Sequence, residues 1–104
     1  MTPTEGSHPN QLVYLLNGPL TLENLFTAQE ALRSDAPVLI LNLSGVSYVD
    51  SAGIGALVQC FASRRKSGRR LLLVAPNDQV QKLFKLTQVD TLLEVFSTLE
   101  EAQA

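Results

Sequence analysis

The segment Val38-Leu39-Ile40-Leu41-Asn42-Leu43 is the most apolar stretch of the chain and shows almost no alternation of apolar with polar residues. A strand with one wet face alternates, whereas a strand covered on both faces reads as a continuous apolar run, as in parallel sheets flanked by helices. The flanking sequence fits that arrangement. Leu12-Val13-Tyr14-Leu15-Leu16, stopped by Asn17-Gly18-Pro19, predicts a buried strand ended by a turn. Thr21 predicts the cap of a helix carrying Leu22, Leu25, Phe26 and Leu32 towards one side. That helix is expected to end near Ser34-Asp35, because Pro37 disfavours helical geometry at Ala36.

Residues 44–51 read as a loop, after which Ile54, Leu57, Val58 and Phe61 fall at i, i+3, i+4 and i+7. This amphipathic helix closes with Ser63-Arg64-Arg65-Lys66-Ser67-Gly68, basic residues in the last turn and then a glycine stop. Leu71–Ala75 is a third strand ended by Pro76-Asn77, Val80, Leu83 and Phe84 mark a short helix, and Leu92–Phe96 is a fourth strand. Ser97 to Glu100 and Thr98 to Glu101 have capping-box spacing for a terminal helix. The order β-α-β-α-β-α-β-α predicts an α/β fold: one mainly parallel four-stranded sheet, flanking helices and right-handed crossovers.

At 104 residues the chain suits one domain, expected over 11–104, with residues 1–10, proline-containing and aperiodic, as a flexible tail. Charged residues are 17%, and 8 basic against 10 acidic groups give −2, not the strong positive field of a nucleic-acid binder. No apolar stretch approaches the roughly 20 residues of a membrane span, and the N-terminus has neither the basic start nor the apolar run of a secretory signal. Cys60 is alone, which excludes an internal disulfide and fits a reducing compartment, so a cytoplasmic location is expected.

In an open α/β sheet, sites gather in loops leaving the carboxyl ends of strands. The loop after the central strand reads Ser44-Gly45-Val46-Ser47-Tyr48-Val49-Asp50-Ser51-Ala52-Gly53-Ile54-Gly55. A carboxylate and a hydroxyl stand side by side before a helix, followed by Gly-x-Gly, which lets another backbone come close. The plain reading of Asp50 and Ser51 is an N-cap, since both residue types are preferred there. The functional reading makes Ser51 an exposed phospho-acceptor. Phosphate would add about −1.5 to −2 charge where free N–H groups and the helix dipole tolerate it.

Val49-Asp50-Ser51-Ala52-Gly53-Ile54-Gly55-Ala56-Leu57 resembles the signature of STAS domains, the fold of bacterial anti-sigma factor antagonists. The Val38–Gly45 run is similar to that family's central strand and its exit. Gly68, the Leu71–Val74 strand and Val80-x-x-Leu83-Phe84 are similar to its later half. The resemblance implies a non-enzymatic protein-binding module whose serine after the aspartate, here Ser51, is phosphorylated by a partner kinase that is also the anti-sigma factor. It implies that unmodified protein binds that kinase and frees sigma, while the phosphorylated form does not, so that transcription is regulated by partner switching. Ser47, Tyr48, Asp50, Ser51, Ala52, Gly53 and Gly55 are then the expected partner-binding residues, and ATP belongs to the partner; this chain needs no cofactor. The alternative is a constitutive subunit of a signalling scaffold or a lipid-transport complex, with Ser51 merely capping. Two departures from the antagonist pattern stand out: Gly18 is followed by Pro19-Leu20-Thr21 where antagonists usually have an acidic residue, and residues 1–10 lack the apolar pattern of an extra N-terminal strand.

Other chemistries fit less well. Ser51 is not in Gly-x-Ser-x-Gly and the only histidine, His8, is in the expected tail, which argues against a serine hydrolase. A phospho-aspartate receiver needs clustered carboxylates for magnesium, but the first strand ends in Asn17-Gly18. A lone Gly-x-Gly without a phosphate-loop lysine is weak evidence for nucleotide binding. The basic cluster 64–70 reads as a solvated helix end, and Cys60 as a packed, inert thiol.

Overall fold

The computed structural model describes residues 3–5 and 10–103. Five strands form one sheet in the order β1-β2-β3-β4-β5. They are β1 (Pro3–Glu5), β2 (Gln11–Asn17), β3 (Val38–Gly45), β4 (Arg70–Val74) and β5 (Glu94–Phe96). Four helices connect or follow them: α1 (Leu25–Leu32), α2 (Ser51–Lys66), α3 (Asp78–Leu86) and α4 (Leu99–Gln103). Strands β2 to β5 are mutually parallel, whereas β1 lies antiparallel on β2 with Thr4 opposite Val13. The four parallel strands and their helices are those the sequence predicts. Strand β1 is not: it occupies part of the segment expected to be a tail, of which residues 1, 2 and 6–9, His8 included, lie outside the described residues. Three residues carrying Pro3 give too short a pattern to read as a strand.

The unbroken apolar run of β3 is explained by burial on both faces. Leu39, Leu41 and Leu43 pack with Tyr14, Leu16, Leu57, Phe61, Val80 and Phe84 beneath α1, α2 and α3. Ile40, one residue out of phase, packs with Val13, Leu72, Val74 and Ala102, where α4 lies. Helix α4 starts where the capping-box spacing of Thr98 and Glu101 predicts: the Thr98 hydroxyl accepts the Glu101 N–H at 3.2 Å.

Two further elements depart from the sequence reading. Helix α1 starts at Leu25 after Asn24, not after Thr21, and turns Ala28 and Ala31 inward. Leu22 and Phe26, expected in the core, are 71% and 68% exposed. A start three residues late rotates the inward face, and small alanines replace the bulky residues that periodicity favours. Strand β5 begins at Glu94, because Val89–Thr91 forms a 3₁₀ turn and leaves Leu92 exposed.

The basic cluster is not uniformly solvated. Arg64 is buried, with 5% exposure, and its guanidinium donates to three backbone carbonyls. Nε reaches Arg70 O at 2.9 Å, Nη1 reaches Ser34 O at 2.6 Å, and Nη2 donates to Ala36 O. One side chain thus ties the end of α2 to the loop before β3 and to the start of β4. Arg70 pairs with Glu94 at 2.7 Å and Arg69 with Asp35 at 3.4 Å, both exposed. Cys60 is buried beside Arg64; burial raises its thiol pKa, and Sγ donates to Leu32 O at 3.6 Å. Replacing Arg64 by alanine strands three carbonyls in a dry site, each lost bond costing about 1 kcal/mol or more. Arg64→Ala is expected to lower unfolding free energy by about 2–4 kcal/mol. Arg65→Ala, at an exposed position, is expected to change it little; urea denaturation of the two variants checks the contrast.

Candidate functional site

The site forms where the loops leaving β2 and β3 meet. The β3 loop is fixed from below: Val46 and Val49 are buried, and Asn77, at the start of α3, donates its side-chain amide to Val46 O at 3.1 Å. Between these anchors Ser47 and Tyr48 point outward and are exposed. The β2 loop lies alongside it, with Leu20 in a parallel bridge to Val49. Leu20 N donates to Tyr48 O at 2.8 Å, and Asp50 N donates to Leu20 O at 3.3 Å. Leu20 is itself buried. The position where an acidic residue was expected from the antagonist pattern is therefore part of a stretch anchored by an apolar side chain.

Asp50 caps α2. Its Oδ1 accepts the Gly53 N–H at 2.8 Å, and its Oδ2 accepts the Leu22 N–H at 3.1 Å from the neighbouring loop. One carboxylate thus satisfies a helix N-terminus and clamps a second loop. These two backbone donors, Gly53 first, hold its pKa below the ordinary 3.8. Ser51 is the first residue of α2, is exposed, and is not the cap. The two residue types compete for the capping role on sequence alone, and the structure gives it to Asp50.

The glycines divide in the same way. A Cβ at Gly53 would collide with Leu20 O and Val49 Cγ1, so the close approach that Gly53 permits is to this chain's own loop. A Cβ at Gly55 would meet nothing. Ser51 and Gly55 stand one turn apart on exposed helix surface, and no charged residue occurs from Ser51 to Ser63. Of the residues predicted for the site, the structure gathers Ser47, Tyr48, Asp50, Ser51, Ala52, Gly53 and Gly55 at one end of the sheet. Sequence reading missed that Leu22 is exposed beside the site, its backbone held by Asp50, with Phe26 exposed one turn further on. Their signal was the turn sequence Thr21-Leu22-Glu23-Asn24, which delays the helix.

The chain has clear counterparts among known proteins. The STAS domain family matches residues 3–102. The chain belongs to the STAS domain family. An anti-sigma factor antagonist named for Thermotoga maritima is 31% identical over 94 residues, covering 90% of this chain and 81% of that protein. A crystal structure of a T. maritima protein given that same name superposes with a TM-score of 0.84 at 28% identity, covering 97% of this chain and 89% of that one. The anti-sigma-B factor antagonist of Listeria monocytogenes is 36% identical over 58 residues, 56% of this chain and 51% of that protein. The fold recurs in the Bacillus cell fate determinant SpoIIAA in its phosphorylated form, with a TM-score of 0.66 at 21% identity, covering 97% of this chain and 96% of that one. Among the described residues of this STAS domain, no helix is long and apolar enough to cross a membrane.

The division of labour at the helix start has measurable consequences. Ser51→Ala is expected to leave the thermal midpoint unchanged. Asp50→Ala is expected to lower it and to speed hydrogen exchange at the Gly53 and Leu22 amides. Because the folded carboxyl has the lower pKa, its stabilising effect is complete above the ordinary value of 3.8 and fades as pH falls through the lowered one. The stability gap between wild type and Asp50→Asn should therefore close in acid; a gap that stays constant to strongly acid pH would contradict it.

Proposed function

We propose that this STAS domain is an anti-sigma factor antagonist-type binding module, acting in the cytoplasm by partner switching and controlled by phosphorylation of Ser51. The observation that carries this reading is that Ser51 is exposed at the first turn of α2 while Asp50 alone makes the cap. The hydroxyl has no structural duty that modification would disturb. A partner kinase would transfer the γ-phosphoryl of ATP to Ser51 Oγ, releasing ADP and the hydroxyl proton. The product carries about −1.5 to −2 charge beside a carboxylate that stays ionised. Backbone N–H groups of the helix start tolerate that charge, so the domain keeps its shape. The change is felt by the partner, whose surface fitted a neutral hydroxyl and a bare helix face. Relatives named as anti-sigma factor antagonists, and a fold neighbour known in a phosphorylated form, support the reading. On this reading the chain acts by binding and performs no catalysis.

Ser47, Tyr48, Ala52 and Gly55 would form the contact rim, with Leu22 and Phe26 as apolar contacts beside it. Affinity capture from native extract with wild type, Ser51→Ala and Ser51→Asp, with Ser51 on the endogenous chain checked for phosphate by mass, tests the switch. The expected outcome is a kinase-like protein held by wild type and Ser51→Ala and lost by Ser51→Asp. Equal capture by all three baits, with Ser51 never modified, would contradict it.

Gly55 offers an independent check. An exposed glycine inside a helix costs up to about 1 kcal/mol relative to alanine, and here nothing in the fold requires it. Gly55→Ala is expected to raise stability and yet weaken the captured complex. Gly53→Ala is expected to destabilise the domain itself.

A further inference from the structure

A second feature lies outside the Ser51 helix face. Tyr48, Val49, Val80, Lys82, Leu83 and Leu86 line an open groove of about 180 Å³ between the β3 loop and α3. Leu86 is 76% exposed and Tyr48 48% exposed, although Val80 and Val49 beneath them belong to the core. Lys82 is the only charged residue in the lining, and among the described residues it has no ion pair. The groove is smaller than the roughly 300–1,000 Å³ of ligand pockets, and its scale suits one bulky side chain. Buried single anchors of this kind are how protein partners dominate an interface.

We infer that this groove is a second docking point, on α3, for a partner protein segment that presents one large apolar side chain next to an acidic residue. The apolar walls take the anchor, and Lys82 selects its neighbour by charge. An apolar anchor beside a lysine or arginine would instead bring two cations together, which specifies against such segments. Helix α3 starts from Asn77, whose side chain holds Val46, so the groove is built on rigid elements on both sides. Because Ser51 is not among its lining residues, the groove holds its segment whether or not Ser51 is charged. A partner released from the helix face can therefore remain tethered through the groove.

The test uses the intact chain, with short random peptides displayed for selection and the winners measured by fluorescence polarisation. The expected winners carry a bulky apolar residue adjacent to Asp or Glu. Leu86→Gln should weaken them about tenfold or more, the scale of a hot-spot residue. Lys82→Glu should weaken them too, and replacing the peptide's acid by lysine should restore binding to that variant. Ser51→Asp should leave affinity within about twofold. Both surface variants are checked for an unchanged circular dichroism spectrum. No enriched peptide, winners that bind Leu86→Gln as well as wild type, or a chain that self-associates through Leu86 in sedimentation would each overturn the proposal. Loss of the winners on Ser51→Asp would also overturn it, since they would then be reading the switch face. None of these results depends on a kinase, so the proposal and the phosphorylation reading fail separately.

Discussion

The Asp50 carboxylate is the point on which the loop end of this domain depends. Its two oxygens accept backbone N–H groups from different segments, Gly53 in α2 and Leu22 after β2. A helix N-terminus leaves donors that must find partners, and a loop needs an anchor to hold one course over a sheet edge. One side chain meets both needs. It acts only because Gly53 has no Cβ, so Leu20 O can sit against the helix start and bring the Leu22 N–H within reach. The aspartate and the glycine three residues on are thus one device. Serine between them is free to do something else.

The two ends of α2 are secured by opposite charges acting on backbone. At the start an anion collects N–H groups; at the end the Arg64 cation collects C=O groups from Ser34, Ala36 and Arg70. Each charge complements the helix dipole at its own end. Each also reaches across to a connecting segment, so the helix is fastened to the sheet by its termini as well as by Leu57 and Phe61. The exposed surface between the two ends contributes little to the fold and is therefore open to selection for binding.

What could be read in advance follows from these physical differences. The β3 run was legible because double-sided burial leaves an unambiguous pattern, and α2 because Ile54, Leu57 and Phe61 are large and correctly spaced. Helix α1 was misplaced because its inward residues, Ala28 and Ala31, carry little hydrophobic signal beside Leu22 and Phe26. Strand β1 depends on pairing with β2, a long-range fact that three residues cannot announce. The residues of the Asp50 loop were legible, but which of Asp50 and Ser51 caps the helix was not, since both types compete for the role locally. Arg64 was hidden for a related reason: in a run of five basic residues, only three-dimensional packing separates the buried one from the solvated four.

The bare stretch from Ser51 to Ser63 has a consequence for how binding responds to salt. A contact made on uncharged helix surface offers dissolved ions nothing to screen, so its strength should hardly change between dilute and physiological buffer. A phosphate at the start of that surface introduces a field whose reach shrinks from about 30 Å at 0.01 M salt to about 8 Å at 0.15 M. On the proposed phosphorylation, the neutral surface and its modified counterpart would be two different kinds of interface, one sensed by shape at contact and the other felt at a distance set by the surrounding ions.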